Sequence, residues 1–414
     1  MIRAFLLFLL STLACAASAA PPRFDVDYRV RFLPDSGLAQ VSIRLSPDDA
    51  RVSKLIFEMP ASRYSDIEGD GEVDRDGDRL RWEPPKKGGS LSYRYRIDKK
   101  RKNGAYDAYM NDDWVVVRGD DLVPSARITA TRGARSRASL QLELPKDWTH
   151  ADTPWLPTRD HADFEYDVVN HERALARPTG WIIAGKIGTR RDVVEGMEIA
   201  VAAPAGLSIA RMDLLAMLTA TAPVMQEAFG QLPEKILVVR AGEPMWRGGL
   251  SGPRSLWMHA DRPLISENGS STLMHEVVHV VTRIRGAQGD DWIAEGVAEY
   301  YGIELLHRAG LLSEARRDKA IAWMRHHGRK VTSLDHSQSS GKRTARAVAL
   351  LADLDAEIRK QTHDQETLDP VIRALMRDGK RVTVDDLREA AENVLGRPSK
   401  VLNTPLLPAP VKVS

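Results

Sequence analysis

Two histidines and two glutamates give the chain its clearest chemical pattern. His275 and His279 lie four residues apart, so on a helix both imidazoles point the same way and can reach one cation. Glu276 follows the first histidine directly, where its carboxylate can accept a proton from a water molecule that the cation activates. Glu295, near the start of the next helical stretch, is placed to supply a third ligand. The set predicts one Zn²⁺ site for hydrolysis, because catalytic zinc takes three protein ligands and keeps one position open.

The residues around the two histidines are apolar around most of a helix circumference, which predicts a buried helix. Ser270 and Ser271 are suited to cap its N-terminus, and Gly286 is suited to end it. Two histidines and a glutamate are costly in a buried helix unless a partner compensates them, and a metal ion is the simplest partner. The other interpretation of the HExxH pattern is a chance arrangement of polar residues on a buried helix.

A second segment completes the pattern. Asp290 and Asp291 can cap a helix that continues through Glu295 and Glu299. Glu299 lies one turn after Glu295 on the same face, where it can accept a hydrogen bond from the free ring nitrogen of either histidine. The alternative interpretation of Glu299 is a solvated carboxylate on the helix surface.

Composition narrows the class of protein. The chain has 414 residues, 43% of them hydrophobic and 28% charged, which is typical of a soluble globular protein with two or three domains. The formal net charge of +2 gives no electrostatic reason to expect a nucleic acid partner. Composition does not indicate an oligomeric state.

The N-terminus has the pattern of a signal peptide. Arg3 precedes an apolar run at residues 4–10, and small residues follow up to a predicted cleavage site after Ala19. The run is too short for an integral membrane span. We expect export to a bacterial periplasm or beyond. Cys15, the only cysteine, lies inside this segment, and a lipoprotein anchored through it is the alternative.

The order of patterns predicts an α+β multidomain protein. After the signal peptide (1–19) we expect an N-terminal β-sandwich (20–205), a metal-binding domain (206–312), a helical domain (313–397) and a flexible tail (398–414). Alternating segments that indicate strands are residues 26–32, 41–45, 91–97 and 139–144. The remaining predicted elements are helices at 212–229, 345–360, 368–376 and 384–394, a strand at 236–239 and an edge strand within 246–256.

An acidic stretch, residues 66–78, half-matches a calcium-binding loop, with Gly71 at the sharp turn. Gly77 stands where the last ligand should be, so we interpret this stretch as a hairpin turn.

At the zinc pattern the chain resembles a known group. HExxH followed by Trp-Ile-Ala-Glu-Gly-Val-Ala-Glu-Tyr at 292–300 resembles the gluzincins, metallopeptidases whose third zinc ligand is the glutamate before the glycine. Segments 355–362 and 367–375 are similar to a helical signature of the glycyl aminopeptidase family. The resemblance implies a thermolysin-like catalytic domain between a β domain and a helical segment, with peptides or proteins as substrates. The PDZ domain common in that family is not expected, because few residues follow Gly396.

The chain departs from that family at two places. Relatives often carry a GGLEH-like run whose glutamate lies in the substrate cleft, but residues 248–252 here read Gly-Gly-Leu-Ser-Gly. Relatives also carry a tyrosine that stabilises the oxyanion, whereas residues 344–347 stand there and no tyrosine follows Tyr301. Side chains whose type and region suit the oxyanion role, each also interpretable as a surface or loop residue, are Arg343, Arg346, His326, His327 and His336.

The function predicted from these patterns is zinc-dependent hydrolysis of peptide bonds in exported peptides or proteins, with Glu276 as general base. The alternative is a zinc-stabilised binding or scaffold protein on a catalytically weakened peptidase fold. Retention of Glu276 favours the enzyme, because a structural zinc site needs no general base. The substrate, exopeptidase against endopeptidase action and the oligomeric state are left open.

Overall fold

The computed structural model describes residues 20–158, 163–170, 172–207, 210–376 and 379–409. These residues form twenty β-strands in four sheets and eight α-helices, which confirms the predicted α+β class. The predicted signal peptide, with Cys15, lies outside the described residues. No helix among the described residues is both long enough and apolar enough to cross a membrane.

The first half of the chain is mostly strands, with one short α-helix, α1 (Gly119–Leu122), and a 3₁₀ turn at Pro34–Ser36. Its strands are β1 (Arg23–Leu33), β2 (Leu38–Pro47), β3 (Val52–Glu58), β4 (Tyr64–Gly69), β5 (Glu72–Asp76), β6 (Arg79–Glu83), β7 (Gly89–Arg96), β8 (Lys99–Lys100), β9 (Tyr106–Met110), β10 (Trp114–Arg118), β11 (Ala126–Ala130), β12 (Arg135–Glu143), β13 (His150–Asp152), β14 (Glu165–Asp167) and β15 (Trp181–Gly185). All four segments with predicted alternation fall on strands. The acidic stretch forms strands and turns as predicted, with Gly77 in the turn between β5 and β6.

Two of these sheets share one hydrophobic core. A six-stranded sheet has the order β14-β12-β1-β2-β7-β4, and a four-stranded sheet has the order β11-β3-β6-β5. Val26 and Val30 of β1 pack in the same cluster as Phe57 of β3 and Trp82 of β6. Intervening β1 side chains face outward, because successive strand residues point to opposite sides of a sheet.

A third sheet, β13-β15-β10-β9-β8, lies between two cores. Val115 and Val117 of β10 belong to the core of the first half, whereas Val116 packs with Trp181 and Trp257 in a separate cluster. Both faces of β10 are therefore covered, which explains its continuous apolar sequence.

The second half is built on a five-stranded sheet backed by helices. Its strands are β16 (Ile187–Val194), β17 (Met197–Pro204), β18 (Lys235–Ala241), β19 (Gly249–Gly252) and β20 (Ser255–His259), in the order β16-β17-β18-β20-β19. β17 pairs in parallel with β18. The sheet thus joins β16 and β17, which precede residue 205, to three strands that follow it. Alternation alone cannot reveal this, because it does not show which strand pairs with which.

Helices cover one face of that sheet. They are α2 (Arg211–Phe229), α3 (Thr272–Thr282), α4 (Asp291–Arg308), α5 (Glu314–Gly328), α6 (Lys342–Gln361), α7 (Asp369–Leu375) and α8 (Val384–Leu395). All seven contribute to one core that also includes Val238 of β18 and Leu256 of β20. Six of these helices, α2, α3, α4, α6, α7 and α8, coincide with predicted helices.

Two expected helix ends are placed differently by the structure. α3 ends at Arg283, which adopts left-handed backbone with φ 54° and donates its N–H to the carbonyl of His279; Gly286 does not end the helix. The Asp290 side chain does not cap α4. Its Oδ2 accepts the N–H of Val384 at the start of α8, at 3.2 Å. The contact of Asp290 with Val384 joins segments distant in sequence, which local capping rules do not consider.

The described part of the expected flexible tail, residues 398–409, packs against the helices. Leu402, Leu406 and Leu407 are buried in the helical core. Glu357 of α6 accepts hydrogen bonds from the Ser399 hydroxyl and from the next two backbone N–H groups. A proline-rich sequence without periodicity can still pack when its polar groups find such partners.

Candidate metal centre

The centre is built on two buried helices. The Ser271 hydroxyl accepts the N–H of Met274 and caps α3, which carries both histidines and Glu276. α4 packs beside α3 and carries Glu295 and Glu299. Gly296 of α4 permits close packing on its other side, because a Cβ at that position would lie 2.8 Å from the Cβ of Ala347 on α6. The glycine next to Glu295 therefore has a packing role.

Three ligand atoms converge at one point. His275 Nε2 lies 3.2 Å from His279 Nε2. Glu295 Oε2 lies 3.5 Å from His275 Nε2, and its Oε1 lies 3.4 Å from His279 Nε2. A tetrahedral zinc ion with bonds of about 2.0–2.1 Å requires neighbouring ligand atoms about 3.3 Å apart, so the three residues fit zinc. They are the one group of metal-ligating side chains that converges in this way within the described ranges.

Glu299 orients the first histidine. Its Oε2 lies 2.9 Å from His275 Nδ1, so that Nδ1–H donates to the carboxylate and Nε2 faces the ligand cluster. Nε2 is therefore the ring nitrogen available to a metal. The structure thus brings together all four residues that the sequence predicted as metal ligands or as their support.

The ionisable side chains of this cluster shift one another's pKa values. Burial lowers the pKa of His275, but its hydrogen bonds to Glu295 and Glu299 outweigh that and raise the pKa to about 10. Burial raises the pKa of Glu295, but hydrogen bonds from both histidines lower it to about 2. Both shifts favour a protonated imidazole beside the Glu295 carboxylate, so a divalent cation that binds these ligands would displace that proton.

Glu276 is held by the edge strand of the sheet. Its side chain is buried, and Oε2 accepts the N–H of Ser251 on β19 at 2.7 Å. A Cβ at Gly249 would lie 3.2 Å from Glu276 Oε1 and 2.7 Å from Thr272 Cγ2, so the strand can approach the helix only with glycine there. The sequence predicted the edge strand but not its hydrogen bond to Glu276. The paired glycines at 248 and 249 were the sequence feature that could have indicated this close approach.

The five candidate oxyanion donors make contacts that do not include the metal ligands. His326 and His336 are exposed, and His327 stacks on Trp323 with ring centroids 4.6 Å apart. Arg343 and Arg346 lie in the first turns of α6. Within the described part of the chain, no hydrogen bond or ion pair joins any of them to the candidate metal ligands. Tyr301 donates its hydroxyl to Asp369 at 2.7 Å.

Comparison with known proteins identifies the fold. No family model and no curated protein matches the sequence. An aminopeptidase N family protein from Idiomarina loihiensis has a similar structure, with a TM-score of 0.63 and 14% identity over 91% of this chain and 72% of its own. An M1 zinc metallopeptidase from Deinococcus radiodurans matches with a TM-score of 0.55 and 13% identity, over 93% of this chain and 92% of its own. A point mutant of an M1 zinc metallopeptidase from the same organism matches with a TM-score of 0.57.

These similarities confirm the predicted metallopeptidase fold. At 13–14% identity they show the fold alone, and the finer resemblance to glycyl aminopeptidases remains a prediction.

Proposed function

We propose that this protein is a zinc-dependent peptidase. The observation that carries the proposal is the convergence of His275, His279 and Glu295, with Glu276 fixed beside them by the backbone of β19. Zinc bound by the three ligands would polarise a peptide carbonyl and lower the pKa of a water molecule.

The chain's own groups have separate roles in this proposal. Glu276 accepts the proton of the attacking water and returns it to the leaving amine. The Ser251 N–H holds one of its carboxylate oxygens, which leaves the other for proton transfer. Glu299 keeps His275 in the orientation that ligation requires.

The edge of the sheet suits an extended peptide. β19 is the last strand of its sheet, so a substrate can add as a further strand beside Glu276. The segment 248–252 has no carboxylate to hold a free amino terminus. We therefore propose peptide-bond hydrolysis in general and leave the position of the cut to experiment.

The direct test is digestion of a mixed peptide library by the mature chain, with products identified by mass spectrometry. We expect cleavage that requires zinc and stops when the metal is removed by a chelator. The product ends distinguish removal of terminal residues from internal cuts. A zinc-loaded protein that cleaves nothing in the library would contradict the proposal.

One observation favours a second candidate, a zinc-stabilised binding protein on this fold. None of the candidate oxyanion donors contacts the ligand cluster in the described residues, and an oxyanion donor is worth about 10²–10³ in rate where an enzyme relies on it. A peptide hydroxamate separates the candidates. If it raises the melting temperature only with zinc present, the open coordination position of an enzyme is supported.

Replacement of Glu299 by glutamine is expected to weaken zinc binding about 10–100-fold, the usual cost of losing an outer partner of a ligand histidine. The amide keeps the volume but accepts the Nδ1–H of His275 less strongly than a carboxylate does. Competition with a zinc chelator measures the affinity. Exposed Glu314 provides the control variant Glu314→Gln, which should bind zinc normally. Equal affinity in Glu299→Gln would show that Glu299 does not support His275.

We also propose export, with cleavage after Ala19. Strand β1 begins at Arg23, so a cut there removes no part of the described sheets. N-terminal sequencing of protein secreted by a bacterial host should find a chain beginning at Ala20. A chain that retains residues 1–19, or one that begins at a lipid-modified Cys15, would contradict this.

A further inference from the structure

A polar cavity lies on the side of α4 that is opposite the candidate metal ligand Glu295. It measures about 820 Å³ and is lined by residues of α2, α4, α5, α6 and α7. Glu304 of α4 lines it, nine residues after Glu295 and therefore on the opposite face of that helix. The volume is in the range of sites that bind small organic molecules, about 300–1,000 Å³.

Four arginines line this cavity, and three of them are each paired with a more deeply buried carboxylate. The pairs are Arg308 with Asp369 at 2.7 Å, Arg317 with Glu304 at 2.6 Å, and Arg359 with Asp355 at 2.7 Å. The carboxylate side chains are 9%, 3% and 4% exposed, whereas the guanidinium side chains are 18%, 26% and 35% exposed. The acids therefore lie behind the arginines, which face the space.

Hydrogen-bond donors at the cavity are left unused. Arg359 donates only its Nε to Asp355, so neither of its Nη groups has a partner among the described residues. The Arg359 side chain lines the cavity and is 35% exposed, so both Nη groups are available to an occupant that supplies hydrogen-bond acceptors.

The remaining charges indicate how such an occupant would be recognised. Asp318 and Glu227 also line the cavity but are exposed, and Arg325 pairs with Asp353 outside the lining. Five carboxylates and four guanidinium groups line the cavity, so recognition relies on directed N–H donors and not on a net positive field. Planar guanidinium groups with free Nη atoms match the oxygen pairs of phosphate and carboxylate.

We propose that this cavity binds a small organic anion through a phosphate or carboxylate group, with Arg359 as a principal donor. The site is separate from the metal centre, and the inference does not depend on the proposed peptidase activity. α4 contributes to both sites, so an occupant would also strengthen the packing of the helix that carries Glu295.

Calorimetric titration of the mature chain tests the proposal. The probes are inorganic phosphate, glucose 6-phosphate with glucose as its control, and succinate, each against sodium chloride of equal ionic strength. We expect saturable binding of one phosphate or carboxylate probe per chain. The pattern among probes distinguishes a phosphate from a carboxylate ligand.

Variants locate the binding. Arg359→Gln should weaken it about 10–100-fold, because a charge-assisted hydrogen bond is lost. Arg359→Lys keeps the charge beside Asp355 and should weaken it less, which covers the case in which the glutamine variant does not fold. Arg94→Gln, at an exposed pair with Asp66, should bind normally. His279→Ala should bind normally too, because its change is at the other site.

The proposal is wrong if neither phosphate nor succinate probes bind saturably at millimolar concentration. It is also wrong if both Arg359 variants bind as well as the wild type. Loss of binding in His279→Ala would place the anion at the metal centre instead.

Discussion

Glu276→Gln is expected to lower kcat for peptide hydrolysis by about 10²–10⁴ while the protein keeps its zinc, because positioned proton transfer contributes that much. The amide has nearly the same volume, and its oxygen can still accept the Ser251 N–H that now binds Oε2 at 2.7 Å. It cannot accept the proton of the attacking water. Turnover of the peptide found in the library, metal content and melting temperature give the three readouts.

The matched control is Glu267→Gln, at an exposed glutamate before α3. It should change neither turnover nor zinc content. If Glu276→Gln hydrolyses peptides at the wild-type rate, Glu276 is not the general base. If it loses its zinc, the carboxylate has a structural role at the site that the hydrogen bond to Ser251 does not explain.

Elements with strong periodicity could be predicted from the sequence. The alternation of apolar and polar residues around Val26 and Val41 predicted strands β1 and β2, because only one face of their sheet is buried. The paired histidines, Glu295 and Glu299 could also be placed together, because residues three and four apart on a helix share a face. α5 was not among the clearest predicted helices, because its sequence is largely polar and buries few side chains.

Features that depend on distant segments could not be predicted. The contact between Ser251 and Glu276 requires β19 to lie against α3, and no local pattern reports that approach. The placement of β16 and β17 depends on the pairing of β16 with β17 and of β17 with β18. Glu357 ordering the tail through Ser399 is a contact of the same kind. The cavity around Arg359 is assembled from five helices, so its residues are scattered in the sequence.

His279→Ala is the second change with a large expected effect. It removes one of three ligands, so zinc affinity should fall by more than the roughly 10–100-fold that an outer partner contributes. The variant purified by dialysis should contain little zinc and hydrolyse no peptide. It should still fold, because Val277, Val278 and Val281 of α3 keep their places in the helical core.

Thermal unfolding shows whether the effect lies in the metal or in the fold. Zinc that binds only the native state should stabilise the wild type by about 2.7 kcal/mol at a free concentration of 100 times Kd. The same zinc should leave the melting temperature of His279→Ala unchanged, whereas His326→Ala, at an exposed histidine of α5, should respond as the wild type does. A His279→Ala protein that retains stoichiometric zinc would remove His279 from the ligand set. The short distances from its Nε2 to His275 and Glu295 would then have to reflect a hydrogen-bonded cluster and not a metal centre.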